Sequence, residues 1–167
     1  MNRGLVYQML SFVKPERNFE PELNLHGKPL QHCSESGMAI TGWHRDGICS
    51  HHNKDHGSHH ICVKNIRSSD TPVRASFCEI TGQENWCDEE GDCTRGSSEQ
   101  CPRDKWCVCE WAFERFVKEK GCDHFDIDTH ATNRLVLDHY QQHGSDEALA
   151  CIQKKIVEST KEMKEGL

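Results

Sequence analysis

Two residue types with ligand and nucleophile chemistry are unusually common in this sequence. Its 167 residues include 11 cysteines and 12 histidines. Thiolates and imidazoles are natural zinc ligands, and both groups also serve as nucleophiles or bases in catalysis. Because eleven is an odd number, complete internal pairing into disulfides would leave one thiol over. We therefore expect any function of this protein to lie among these side chains.

Histidines are concentrated in one segment, residues 44–60, where glycines, Asn and Asp indicate a loop rather than a helix. Such a run could bind a metal or respond to pH. For His51, His52 and His56 a solvated loop is the preferred interpretation. Farther along, residues 106–109 read Trp-Cys-Val-Cys, an alternation typical of a strand with both sulfurs on one face. The chain contains no Cys-x-x-Cys pair, so its spacing matches no standard zinc finger.

Four more cysteines lie in a long segment, residues 78–104, that has no regular apolar pattern after its first few residues. A loop this long and this poor in apolar residues is not held by burial alone. Disulfides, each stabilising the fold by about 3 kcal/mol, would close it, and zinc bound by the same thiols is the alternative. A mobile loop without either kind of cross-link is the third possibility. The candidate staple residues are Cys78, Cys87, Cys93 and Cys101.

Short apolar patterns indicate the elements that must position these groups, and the fold class they predict is α+β. We expect a small irregular sheet, Cys/His-rich loops and about three C-terminal helices. Strands are predicted over residues 60–64, 77–81, 106–109 and 125–128. Helices are predicted over 111–120, over 131–140 and after Ser145. The predicted organisation is an N-terminal arm (1–22), an α+β domain (23–144) and a C-terminal helix (145–167).

Composition argues against several classes of partner. The net charge of −7 disfavours nucleic acid, which requires a basic surface. The mean hydropathy is −0.79, and no stretch approaches the ~18 apolar residues of a membrane span. Residues 1–13 lack the features of a signal peptide, so a reducing, cytoplasmic location is preferred. A mitochondrial or other organelle lumen is the alternative that disulfides would favour.

Four separated blocks of the sequence resemble the family catalogued as domain of unknown function 2237. They include TGWHRDGIC and DHGSHHIC within residues 41–62, and PRDKWCVC at 102–109. The other two blocks are residues 25–34 and 128–130. Ile48 stands where the family often has the first of two adjacent cysteines, and Asp128 where alanine is usual. The resemblance spans about residues 23–140 and implies a compact α+β fold, but the family carries no assigned activity.

The cysteines and histidines inside the resembling blocks form our candidate metal site, for which zinc is the expected ion. Buried inert thiols and disulfides or redox-active thiols are the alternatives. The candidate ligands are Cys49, His59, Cys62, Cys107, Cys109 and His130.

Three functional hypotheses follow from these patterns. The leading one is a non-catalytic metal-binding or metal-stabilised module. The second is an accessory or structural subunit of a larger assembly, clamped by disulfides, whose partners would be other protein subunits. The third is a metal- or thiol-dependent enzyme of unknown substrate, in which Cys62 or Cys107 would act with His130 as a nucleophile pair.

Overall fold

The computed structural model describes residues 21–66, 73–124 and 126–166. Within these ranges the chain forms four α-helices and two antiparallel two-stranded sheets, which confirms the predicted α+β class. Most of the predicted N-terminal arm, residues 1–20, lies outside the described residues. The strands are β1 (Ile61–Val63), β2 (Gly91–Asp92), β3 (Gln100–Cys101) and β4 (Trp106–Val108). The helices are α1 (Val73–Thr81), α2 (Glu110–Lys120), α3 (Leu135–His143) and α4 (Asp146–Glu165).

At the centre of the fold β1 pairs with β4, and every residue of both strands is buried. Ile61 lies opposite Val108, and Val63 lies opposite Trp106. Between these two pairs Cys62 and Cys107 face each other across the strands. Strands buried on both sides favour β-branched and aromatic residues, which explains why these two short segments pair.

Two disulfides tie this strand pair to the irregular N-terminal segment. Cys62 is bonded to Cys33, and Cys107 is bonded to Cys49. The four sulfurs and Ala131 form a small buried cluster of their own. A segment with so many turns and so few apolar residues gains its attachment to the core from these covalent bonds.

The helices cover the strand pair on the other side. Apolar residues of α2 recur at helical spacing and bury one face of the helix: Ala112, Phe113, Phe116 and Val117. The ring of Phe116 lies 5.8 Å from that of Phe77 in α1. On the same helix Phe113 stacks on Tyr140 of α3 at 6.3 Å. In the described ranges no helix combines the length and the apolar character needed to cross a bilayer.

The predicted strand over residues 77–81 is wrong, because this segment ends helix α1. Phe77, Cys78, Ile80 and Thr81 are buried while Glu79 is exposed. That pattern places the buried residues on one face of a helix. In a strand, consecutive residues would instead point to opposite faces. An apolar run of five residues is too short for its period to distinguish a strand from a helix.

Two other predicted elements differ in extent. Helix α3 begins at Leu135 rather than near 131, and the Asn133 side-chain oxygen accepts the Leu135 N–H at 3.1 Å. Asn133 therefore terminates the preceding turn, and the helix starts after it. The strand predicted over 125–128 is reduced to a single bridge between Ile127 and Val63. Its first residue, Phe125, lies outside the described residues.

Six of the seven remaining cysteines form three more disulfides. In the 78–104 segment Cys78 is bonded to Cys87, and Cys93 to Cys101. All four candidate cysteines of this segment are therefore paired in disulfides, which leaves no thiolate here to bind zinc. The fifth bond, Cys122–Cys151, joins α4 to the segment that follows α2. The domain boundaries themselves remain a prediction.

All eleven cysteines lie in the described residues, and Cys109 is the one without a disulfide partner. We therefore expect one thiol per chain to react with a thiol reagent in unfolded, unreduced protein. After reduction all 11 should react. A Cys109→Ser variant should show none before reduction, because the five disulfides consume every other sulfur. More than one thiol in carefully oxidised wild-type protein would contradict this pairing.

Candidate functional site

The strand pair β1–β4 positions the polar groups of the candidate site. Ile61 and Val108 are the terminal pair of this ladder. The residues just before β1 and just after β4 therefore emerge at the same end. His59 precedes β1 by two positions, and Cys109 follows β4 and directly precedes α2. Two segments distant in sequence thus bring a thiol and an imidazole together.

Cys109, His59 and Asp55 form a continuous chain of polar contacts. The Cys109 Sγ lies 2.9 Å from Nε2 of His59. The other ring nitrogen, Nδ1, lies 2.7 Å from Oδ1 of Asp55. Asp55 is buried, while His59 and Cys109 are partly exposed. A thiol, an imidazole and an orienting carboxylate in this order have the arrangement of an activated cysteine nucleophile.

The hydrogen bonds of Asp55 determine which nitrogen of His59 carries the proton. Its two carboxylate oxygens accept the backbone N–H groups of His59 and Gly57, at 2.9 and 3.2 Å. Burial by itself would raise the pKa of Asp55, but hydrogen bonds from His59 and Gly57 hold it below its usual value. The ionised carboxylate therefore accepts the Nδ1–H of His59. This leaves the Nε2 lone pair directed at the Cys109 sulfur.

Cys109 itself is held as a neutral thiol. Burial and then the charge of Asp55 raise its pKa to about 11, although a hydrogen bond from the Trp111 side chain opposes them. The S–H group is accordingly the donor to Nε2 of His59. Cys109 is also the residue from which α2 starts, at the positive end of the helix dipole. That position favours negative charge once the thiol loses its proton.

Gly57 makes the contact between the thiol and the imidazole possible. A Cβ at this position would lie 2.9 Å from the Cys109 sulfur and 2.9 Å from Cε1 of His59. Both distances are shorter than carbon atoms tolerate, so one side chain would have to move. The absence of a side chain at Gly57 therefore allows the backbone to approach the pair closely.

A cleft of about 330 Å³ opens beside Cys109 and His59. Its walls include Trp43, Trp86 and Trp106, and Arg45 contributes a positive charge. The Arg45 guanidinium lies 5.2 Å from the centre of the Trp106 ring. An aromatic cleft with a few polar groups beside a reactive side chain is the usual form of a small-molecule site.

The structure divides the six predicted metal ligands. Cys49 and Cys107 are bonded to each other and Cys62 is bonded to Cys33, and a disulfide sulfur offers no thiolate to zinc. The ring of His130 stacks on that of His26 at 4.6 Å. This leaves His59 and Cys109 as the two predicted ligands that are in contact. The alternative nucleophile pairs with His130 are excluded for the same reason, because neither Cys62 nor Cys107 is a free thiol.

Sequence reasoning missed several residues that take part in the site. One of them is Asp55, which lies in the histidine-rich segment. Its position four residues before His59, with a glycine between, is compatible with a local side-chain contact. The other two are Trp43 and Trp86, which line the cleft. No pattern in the sequence connects either tryptophan to Cys109, because their proximity depends on the path of the folded chain.

Among the residues that the structure describes, two groups of side chains have ligand atoms close enough to hold a metal ion. One consists of Cys33, Cys49 and Cys107, whose sulfurs are all consumed in disulfides. The other consists of His60, Glu110 and His139, whose ligand atoms all lie within 4.8 Å of one another. Only this second group presents free imidazole and carboxylate atoms.

A comparison with protein-family models supports part of the resemblance seen in the sequence. Residues 23–69 match DUF2237. The family is described as an uncharacterized protein conserved in bacteria. The matched segment contains Asp55, Gly57 and His59, whereas Cys109 lies beyond it. No curated protein matches the chain.

The protonation state of Cys109 can be tested by its alkylation rate at different pH values. Thiolates react and thiols do not, so a pKa of about 11 predicts a rate that still rises above pH 9. At pH 8 folded, unreduced protein should react with iodoacetamide roughly 100-fold more slowly than the guanidinium-unfolded chain, because each pKa unit changes the thiolate fraction about tenfold. A rate that is constant between about pH 6 and 8 would instead indicate a resident thiolate–imidazolium pair.

Proposed function

We propose that this protein is a thiol-dependent enzyme that transfers or hydrolyses acyl groups. Cys109 is the nucleophile, His59 is the general base, and Asp55 orients the imidazole. One observation carries the proposal: the Cys109–His59–Asp55 contact chain, with contacts of 2.9 and 2.7 Å, opens on a cleft. Among the three functional hypotheses from the sequence, this one corresponds to the thiol-dependent enzyme, with a different cysteine and a different histidine.

The reaction would proceed in two balanced steps. In the first, the Cys109 sulfur attacks the carbonyl carbon of an ester, thioester or amide while its proton passes to Nε2 of His59. The bond to the leaving group breaks, and the leaving group takes this proton, so that a thioester on Cys109 remains. In the second, water attacks the thioester, His59 receives its proton and returns it to the sulfur, and the acid is released.

The high pKa of Cys109 makes the base necessary. A thiol with a pKa of about 11 has almost no thiolate at neutral pH. The nucleophile must therefore lose its proton during the attack, and Nε2 of His59 is the acceptor within reach. As the sulfur bonds to the carbonyl carbon, negative charge develops on the carbonyl oxygen of the substrate. His59, which has taken the proton, becomes an imidazolium that the ionised Asp55 stabilises.

The cleft suggests the kind of substrate. Trp43 and Trp106 offer flat apolar surfaces, and Arg45 offers a positive charge close to Trp106. An acyl compound with an apolar or aromatic portion and an anionic group would match both features. A volume of about 330 Å³ suits a small molecule or a single side chain of a larger substrate.

The five disulfides support a location different from the cytoplasm that the sequence favoured. Disulfides persist in oxidising compartments, and thiols remain reduced in the cytosol. We therefore propose a non-reducing compartment, in agreement with the organelle-lumen alternative. In such a compartment an unpaired thiol is exposed to oxidation, and the hydrogen-bonded, protonated state of Cys109 protects it because thiolates oxidise faster. Zinc binding and an accessory-subunit role remain hypotheses for other parts of the molecule.

The proposal can be tested with p-nitrophenyl acetate as a generic acyl donor, in buffer without reductant. Wild-type protein should release p-nitrophenolate in a burst of one equivalent per chain and gain one acetyl group on Cys109. Cys109→Ala should lack both the burst and the acetyl group. His59→Ala should slow acylation by about 100-fold or more, since a positioned general base contributes about that much.

His56→Ala is the matched control, because this exposed histidine lies in the same loop between Asp55 and Gly57. It should acylate at the wild-type rate. Circular dichroism establishes that each variant is folded. Folded His59→Ala protein that acylates as fast as wild type would refute the assignment of His59 as the base, and acylation of a residue other than Cys109 would refute the assignment of the nucleophile.

A further inference from the structure

A second polar cluster lies directly behind the Cys109–His59–Asp55 chain. It is built from the next residue of each segment, His60 after His59 and Glu110 after Cys109, together with His139 of α3. Nδ1 of His60 lies 2.6 Å from a Glu110 carboxylate oxygen. Nδ1 of His139 lies 3.0 Å from both oxygens of the same carboxylate. His60 is fully buried and Glu110 is nearly so.

We propose that His60, Glu110 and His139 bind a divalent zinc-class metal ion. Two imidazoles and one carboxylate form a recognised protein ligand set for zinc, with ligand distances of about 2.0–2.2 Å. Ligand atoms that lie within 4.8 Å of one another can surround one such ion after small side-chain rotations. The proposal does not depend on the chemistry of Cys109, which takes no part in the ligand set.

Hydrogen bonds around His60 leave the lone pair of its Nδ1 atom available as a ligand. The Asn53 side-chain oxygen is an acceptor and lies 3.1 Å from Nε2 of His51, which therefore donates to it. Nδ1 of His51 is then an acceptor, and Nε2 of His60 donates to it at 3.4 Å. This leaves Nδ1 of His60 without a proton in the neutral ring, although it faces a carboxylate oxygen at 2.6 Å.

Two lone pairs that face each other at this distance in a buried site require a proton or a metal ion between them. A metal ion would use both lone pairs as ligands and would also engage His139. The hydrogen bond from Nε2 of His60 to His51 is the outer partner that metal-bound histidines generally have. His139 contacts the same carboxylate at 3.0 Å, and this complete ligand set favours the metal over a proton.

The position of the site also gives it a role. The three ligands come from the segment before β1, the first turn of α2 and the middle of α3. Tyr140 is the residue after His139, and its hydroxyl donates a hydrogen bond to the Glu110 backbone oxygen at 2.7 Å. This bond also connects α3 to the first turn of α2. An ion at this point would join all three segments.

Metal binding can be measured on full-length, unreduced protein that has been dialysed against EDTA. We expect titration with Co²⁺ to produce visible absorption bands that saturate at one equivalent, and Zn²⁺ to displace the Co²⁺. His139→Ala is the principal variant because its side chain is the most exposed of the three. It should weaken binding by at least about 100-fold, and His51→Ala by about 10- to 100-fold, the usual cost of losing an outer-shell partner.

Two controls identify the ligands. A His52→Ala, His56→Ala double variant removes one partly exposed and one exposed imidazole from the histidine-rich loop and should keep the wild-type affinity. Cys109→Ser should also keep it. Affinity lost in the double variant and retained in His139→Ala would overturn the proposal in favour of adventitious binding by the loop. Absence of saturable Co²⁺ or Zn²⁺ binding would overturn it in favour of a proton between His60 and Glu110.

The two proposals can fail separately. Acylation of Cys109 by p-nitrophenyl acetate is measured on the metal-free protein, whereas Co²⁺ absorption requires no acyl donor. Loss of metal binding in His139→Ala would support the metal site whether or not this variant is acylated. Absent acylation in wild type with normal metal binding would refute the proposed enzyme and leave the metal site standing.

Discussion

The structure depends on the pairing of β1 with β4 and on the two disulfides that hold it. Cys62 and Cys107 are opposite each other in the ladder, yet each is bonded to a cysteine of the irregular segment instead of to the other. One short pair of strands therefore anchors both the helices and the turn-rich segment. Disulfides that close loops of this size stabilise a fold by about 3–4 kcal/mol each, which a segment with so little apolar surface needs.

The chemistry of the protein is concentrated where this ladder ends. The segment before β1 and the segment after β4 leave the ladder together, and each carries two consecutive residues of the two proposed sites. One pair, His59 and Cys109, faces the aromatic cleft, and the other, His60 and Glu110, faces α3. Adjacent residues in an extended chain point to opposite sides, so a single ladder end can serve two sites.

The odd number of cysteines acquires a physical meaning in this arrangement. Ten sulfurs form structural bonds, and the eleventh stands at the start of α2 beside an imidazole. Burial and the charge of Asp55 keep this thiol protonated, so it remains unreactive until a base removes its proton. A disulfide-rich protein can thus retain one reduced sulfur without exposing a thiolate.

The sequence alone was sufficient to predict the α+β class, helix α2, the strands around Cys62 and Cys107, and the family resemblance over residues 23–69. These features depend on local periodicity and on motifs whose residues are close in the chain. The 77–81 segment shows the limit of that reasoning, because five residues do not reveal a period.

Which sulfurs would bond, and which one would remain free, was decided only by the tertiary structure. The cysteines of the candidate metal set looked equivalent in sequence, and only their distances in the fold separated Cys109 from Cys107. The same holds for His139, which has no sequence signal that relates it to Glu110. Contacts between residues tens of positions apart depend on strand register and helix packing, and neither is contained in local spacing.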